Sequence, residues 1–448
     1  MRKKISFAIL ITILITVSMC FCGCSGLMFA IAVDGMSNVL EEYESTAEYT
    51  QAPTEETTST DSSTEEQLPE NPLSEVTVLI YMNGSDLETD EGQATEDITE
   101  MLQASYNEDV NILIQTMGTL YWDDKYDISS EETQRFRVAE NELELVDSGF
   151  GQLDCTISPT LREFIDWGAE NYPAERYMLI LWNHGAGPVY GFGYDEYQGD
   201  DESLTLDEIV TALEFAEVKF DFIGMDCCIM SCIEVCYALY DYCDYTILSE
   251  EFESWLGWSY EGWINALVEN PDIDTVELGQ IIVNDMIEDN EAESEIEPSV
   301  LAVIDQSMIK VLFNAWTNFA YANEQTLLDY DFSVEIEGTS RVHPKLRLWD
   351  DEEYGIAEYN ITDLMSVAQN VDSKESDALK KVINNTIVYC KTTDNAGYLS
   401  GLAVTLPYGD YGFYDELKRI YSKCGIDSEY LDWLAKFIAA EGADKYFD

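Results

Sequence analysis

Arg176-Tyr177-Met178-Leu179-Ile180-Leu181-Trp182 runs into Asn183-His184-Gly185, and further on Phe222-Ile223-Gly224-Met225-Asp226-Cys227 runs into Cys228. Each is a short apolar run of strand length that stops at a chemically able side chain, an imidazole in the first and a thiol in the second. The chain has only two histidines, so one at the end of a buried strand is informative. In open α/β sheets ligands bind beyond the carboxyl ends of the strands. Two adjacent parallel strands would therefore set His184 beside Cys228, a cysteine nucleophile with its base. The other histidine, His343, sits in Ser340-Arg341-Val342-His343-Pro344-Lys345. That setting is loop-like and locally basic, with no apolar strand before it, which makes it the weaker partner.

Working outward, Val76 to Tyr81 reads as a strand that ends in the turn-like cluster Met82-Asn83-Gly84-Ser85-Asp86. Helical spacing follows over 96–104, then a strand over 110–116. A hairpin pair is expected over 134–138 and 142–146, and a helix over 161–169 before the His184 strand. A helix over 204–216, started by Thr205 and Asp207, leads to the Cys228 strand. That strand feeds a helix from about Met230 to Tyr242, and 245–249 is a further strand. Residues 300–305 and 402–406 look like additional strands, with helices over 308–321 and 373–390 between them. Strands alternating with helices predict an α/β fold, a mostly parallel sheet with helices on both faces.

The ends of the chain differ from this body. Met1-Arg2-Lys3-Lys4 is a basic start to an apolar run reaching Val33. It has the look of a secretory signal but is long enough to span a bilayer. Gly23-Cys24 resembles a lipoprotein cleavage site, whereas apolar 27–33 fits an uncleaved anchor; both readings export and tether the chain. Residues 34–74 are rich in Glu, Ser, Thr and Pro without Lys or Arg. Such a segment cannot bury enough surface to offset its ordering entropy, and it reads as a self-repelling spacer. The expected organisation is a signal or anchor over 1–33, a spacer over 34–74 and a catalytic body over 75–448, placed at the cell surface. Against 22 basic side chains stand 89 acidic ones, net −67, which excludes nucleic acid, whose phosphates need clustered Lys and Arg.

Of 11 cysteines, eight lie beyond residue 33, and five of those cluster at 227, 228, 232, 236 and 243. Positions 228, 232 and 236 would share a helix face, yet no paired CxxC knuckles are present, so no metal site is assigned. Cys232 and Cys236 read as small buried side chains. Cys228 is expected to open the next helix, whose N-terminus would favour a thiolate. The Gly185 and Cys228 N–H groups would hold the oxyanion of an acyl intermediate, with Gly185 letting substrate close to the backbone. His184 would protonate the leaving amine and help activate the thiol, whereas a nearby Asp226 would oppose thiolate formation. The bland alternative is a turn histidine and core cysteines.

Further residues carry a family resemblance. Pro173 to Gly187 resembles the histidine motif of the clostripain family of cysteine peptidases, and Gly224-Met225-Asp226-Cys227-Cys228-Ile229-Met230-Ser231 its cysteine motif. In that match Cys228 takes the nucleophile position and Cys227 the place of a small alanine. Val78 to Glu88 resembles the family's opening strand and Gly401 to Tyr408 a late segment. The resemblance implies a caspase-like three-layer sandwich, a His184/Cys228 dyad, protein or peptide substrates and cleavage after Arg or Lys. It requires no cofactor, although some members depend on calcium, and a monomer is expected. Two other functions compete: an idle acidic surface protein that binds cations or partners, and another thiol acyl transferase.

A buried carboxylate would pair well with a basic residue before the cut. Glu251 and Glu253, in the turn after the strand that follows Cys228, and Asp226 are the candidates. One departure from the family stands out. Several members cut themselves, but 194–203 here contains no Lys or Arg, and the whole connection from His184 to Cys228 holds only Lys219. A single active chain through 194–203 is expected.

Overall fold

Of the two units into which the chain divides, Met1–Leu68 and Pro69–Asp448, the computed structural model describes residues of the second: 73–199, 202–293, 296–329, 360–407 and 411–438. The N-terminal run, nearly all of the spacer and His343 lie outside these residues. The strands are β1 (Ser74–Asn83), β2 (Val110–Met117), β3 (Gln134–Ala139), β4 (Glu142–Asp147), β5 (Ala174–Trp182), β6 (Phe220–Asp226), β7 (Cys243–Leu248), β8 (Val300–Asp305), β9 (Ile361–Asp363), β10 (Ile387–Thr392) and β11 (Ala403–Thr405). Nine of them form one sheet in the order β10-β8-β7-β6-β5-β1-β2-β3-β4. The five central strands β7-β6-β5-β1-β2 are parallel. Both margins, β8 and β10 on one side and β3 and β4 on the other, are antiparallel.

The main helices are α1 (Gln93–Gln103), α2 (Ser158–Asn171), α3 (Leu206–Ala216), α4 (Ile233–Leu239), α5 (Tyr260–Glu269), α6 (Thr275–Ala292), α7 (Ile309–Ala322), α8 (Lys374–Thr386), α9 (Tyr411–Lys423) and α10 (Ser428–Ile438). They cover both faces, which is why the central strands read as nearly unbroken apolar runs. Alternation still sorts their side chains. Leu79, Tyr81, Leu179, Leu181, Ile223 and Met225 join the core under α2, α3, α4 and α7. Val78, Ile80, Met178, Ile180 and Phe222 join the core under α1, α5 and α6. Parallel pairing of β5 with β6 sets Met178 opposite Phe222 and Trp182 opposite Asp226. The two strands end level, and whatever follows each emerges on the same rim.

Two expectations are corrected, and one expected strand is placed outside the large sheet. The helix expected to about Cys390 stops at Thr386, and Ile387-Val388-Tyr389, β-branched and aromatic, continue as β10 along β8. The stretch around 402–406 does form a strand, but β11 leaves the large sheet, pairs with β9 and bridges to Cys232. The helix after the Cys228 strand begins at Ile233, not near Met230, with Cys232 as its N-cap. Cys228, Cys232 and Cys236 therefore share no helix face, and Cys228 does not open a helix.

Candidate active site

The loops after β1, β5 and β6 are tied together before any reactive group is placed. At the end of β5 the Trp182 indole donates to Asp97 Oδ2 at 2.6 Å. The Asn183 side-chain amide donates to Ser85 Oγ at 2.7 Å and to the Asn83 carbonyl. The Asn183 N–H reaches the Asp226 carbonyl at 3.3 Å, and Gly193 N–H donates to the His184 carbonyl at 2.9 Å. On this base the His184 imidazole sits with Nε2 2.8 Å from Asp86 Oδ1. The Tyr194 ring lies nearly parallel to it, centroids 6.1 Å apart and planes 11° apart. Burial works against a charge on Asp86, but the hydrogen bond and charge of His184, with the hydroxyls of Tyr194 and Ser85, outweigh it and hold this carboxyl below the usual range. Asp86 was not singled out in the sequence, where Ser85-Asp86 reads only as a turn; its place after a buried strand was the available signal.

Cys228 lies two residues past the last residue of β6, as His184 lies two past the last residue of β5, and those last residues are opposite each other. The loops touch: a Cβ built on Gly185 would stand 2.0 Å from the Cys228 carbonyl oxygen and 2.9 Å from Cys227 Sγ. The glycine is thus required by the packing of the two loops on each other. Cys228 occupies a turn, with Ile229 at φ 49°, and its thiol accepts the Glu253 N–H at 3.4 Å. Neither this bond nor that of His184 to Asp86 joins His184 to Cys228 directly. Among the described residues the Gly185 N–H is given to no backbone acceptor. Cys228 is partly exposed, whereas Cys227 is buried in the core. Burial, then the Glu253 carboxylate, push the Cys228 thiol up to about 12, against the pull of the Glu253 N–H. The resting thiol is protonated near neutrality.

All three acids from the sequence gather around this turn. Asp226 is buried, accepting the Trp258 N–H at 3.2 Å and the Tyr260 hydroxyl at 2.7 Å. Glu253 buries its carboxyl against that of Asp226; burial and their mutual repulsion raise Glu253 well above the usual range, and burial raises Asp226 to about 6. Glu251 is buried, its carboxylate accepting the Phe252 N–H at 3.0 Å and its carbonyl the Ile229 N–H at 3.0 Å. Glu250 is an addition: its carboxylate accepts the Gly401 N–H at 2.6 Å and lies beside Asp363. The remaining cysteines of the cluster are core groups, Cys232 directed at Glu234 (2.7 Å) and Cys236 at Thr246 (3.8 Å).

The model of the clostripain family matches residues 80–402. The chain is similar in structure to a secreted C11 cysteine protease from Bacteroides thetaiotaomicron, iotapain, with a TM-score of 0.61 and 17% identity over 79% of this chain and 99% of that one. With the B. thetaiotaomicron secreted C11 protease bound to an irreversible peptide inhibitor the TM-score is 0.57 at 19% identity, over 79% and 100%. With an inactive zymogen C11 protease from Parabacteroides distasonis it is 0.55 at 21%, over 79% and 98%. No curated protein matches the sequence. The family match, extending from β1 to the start of β11 and spanning both strand-end loops, makes this chain a member of the clostripain family and a cysteine peptidase.

Proposed function

We propose that the chain is an exported endopeptidase in which Cys228 attacks the scissile carbonyl and His184 handles the proton. The observation that carries this reading is the level ending of β5 and β6, which brings the His184 and Cys228 loops into contact through Gly185. The thiol proton passes to the imidazole as sulfur bonds to the carbonyl carbon. The Gly185 and Cys228 N–H groups receive the oxyanion. The imidazolium then gives its proton to the departing amine, and water, deprotonated by the same imidazole, releases the acid and restores the thiol. Asp226, Glu251 and Glu253 would favour Arg or Lys before the cut, and residues 1–33 would tether a monomeric body to the membrane.

The test uses Arg, Lys, Ala and Asp peptide substrates. Cys228→Ala and His184→Ala are each expected to lose about 10⁴-fold or more in kcat, with Cys227→Ala retaining most activity. An active Cys228→Ala beside a dead, folded Cys227→Ala would move the nucleophile by one residue. Equal turnover of Ala and Arg substrates would remove the basic pocket. The hydrogen bonds of His184 to Asp86 and of Cys228 to the Glu253 N–H, with none joining His184 to Cys228 among the described residues, favour one second reading, a catalytically idle relative. A peptidyl chloromethyl ketone that fails to alkylate Cys228 would establish it.

A further inference from the structure

We infer that Asp86 is a positioning residue for His184, holding Nε2–H so that Nδ1 is the nitrogen that exchanges protons with Cys228 and the leaving group. The inference rests on His184 acting as the catalytic base. An imidazole presents two nitrogens, and the hydrogen bond made by one fixes the tautomer and direction of the other. Here Nε2 is committed to a carboxylate oxygen at 2.8 Å, which leaves Nδ1 as the free lone pair.

The carboxylate is itself built into place. Ser85, which precedes it, adopts a left-handed φ of 41°, unusual for a residue with a side chain and kept only where surroundings impose it. Its hydroxyl donates to Asp86 Oδ1 at 3.1 Å and receives the Asn183 amide at 2.7 Å. Asn183 is the residue before His184, so one hydrogen-bonded loop joins the carboxylate to the backbone that carries the imidazole. Asn83, on the β1 side, donates to the Tyr194 carbonyl at 2.9 Å, and Tyr194 lies parallel to the imidazole. The groups facing Asp86 are therefore His184, Tyr194 and Ser85, with Glu196 beyond Tyr194. His184 is the sole basic group among them. When His184 takes the thiol proton on Nδ1, both its nitrogens carry protons, and the Asp86 carboxylate faces the new cation. When Nδ1–H passes to the amine, the original tautomer returns; Asp86 neither gains nor loses a proton in the cycle.

The experiment compares kcat, KM and the pH dependence of kcat/KM for the wild type, Asp86→Asn, Asp86→Glu and His184→Ala, each checked for a wild-type thermal transition. Asp86→Asn removes the charge and permits the wrong tautomer. It is expected to lower kcat at least about 100-fold with KM within about threefold. It should also move the acidic limb of the profile to lower pH, because the imidazolium has lost its anion. Asp86→Glu keeps the anion at a changed reach and is expected to recover part of kcat and keep the limb near its wild-type position. The Glu variant still decides the matter if the Asn variant does not fold: a folded Asp86→Glu with a limb displaced to lower pH overturns the inference. So does a folded Asp86→Asn with wild-type kcat, or with reduced kcat and an unmoved limb. An active His184→Ala would instead overturn the reading of His184 as the base, and so separates the two failures.

Discussion

Gly185, proposed as a backbone donor to the oxyanion, is also the surface on which the cysteine turn rests. A methyl group at this position meets a backbone carbonyl at 2.0 Å, and a carbonyl cannot rotate aside as a flexible side chain can. Gly185→Ala is therefore expected to push the Cys228 turn outward, to cost about 1–3 kcal/mol of stability and to reduce kcat sharply while leaving every catalytic side chain intact. Thermal melts and steady-state kinetics check this, and a variant with unchanged melting and turnover would mean that the loops are less closely packed. At this scale the sequence was legible where a reactive residue ended an apolar run. His184 and Cys228 stood out because strand patterning gives each a location on the rim. Asp86 did not, because its value depends on a loop from β1 arriving beside an imidazole nearly a hundred residues away, which no local pattern encodes. The helix start at Cys228 failed for a related reason: the apolar periodicity after Met230 is satisfied by an irregular buried turn, since β11 bridges to Cys232 there.

Among the elements, the strands buried on both faces were read well, because continuous apolar runs of limited length have few other interpretations. β10 was absorbed into a helix since α8 supplies strong helical spacing up to Thr386 and nothing but β-branching marks the change. The loop beginning at Tyr194 matters for maturation. Its described part is fastened by its own acids. Asp195 Oδ2 accepts the Cys155 N–H at 3.2 Å, and the Glu196 carboxylate accepts the Leu120 N–H at 2.8 Å and the Thr89 hydroxyl at 2.5 Å. The Tyr197 hydroxyl donates to the Ser130 carbonyl at 2.9 Å. The basic residue proposed before the cut is missing from this part of the loop, and its backbone is held by these bonds. Purified active protein is expected to remain one chain through 194–203, as read by intact mass and terminal sequencing. A cut there in the wild type that is absent from Cys228→Ala would overturn this.

For the molecule as a whole the governing feature is acid held in the wrong place for charge. Glu88, Asp97, Glu100, Asp226, Glu234, Glu250, Glu253, Asp285 and Asp363 all titrate above their usual range, with burial the largest cause in each, whereas Asp86 is shifted down. A carboxyl raised in the folded state favours its neutral form there. Its contribution is complete below the unfolded value of about 4 and is lost as pH rises through the folded value, about 6 for Asp226. The melting temperature of the body from Ser74 onward is expected to fall between about pH 5 and pH 8. Added salt should raise it at pH 8, because the strong net negative charge of this body is then screened. A melting temperature that climbs from pH 5 to pH 8 would contradict this. The sheet margin adds a practical corollary. β4 ends the sheet with Leu145 exposed between Glu144 and Asp147, and charged side chains on an edge strand deter pairing with another chain. Acidification that firms the interior also draws the chain toward its isoelectric point of about 4.1, where repulsion between molecules is weakest, so the conditions that make a single molecule hardest to unfold also make a concentrated solution readier to precipitate.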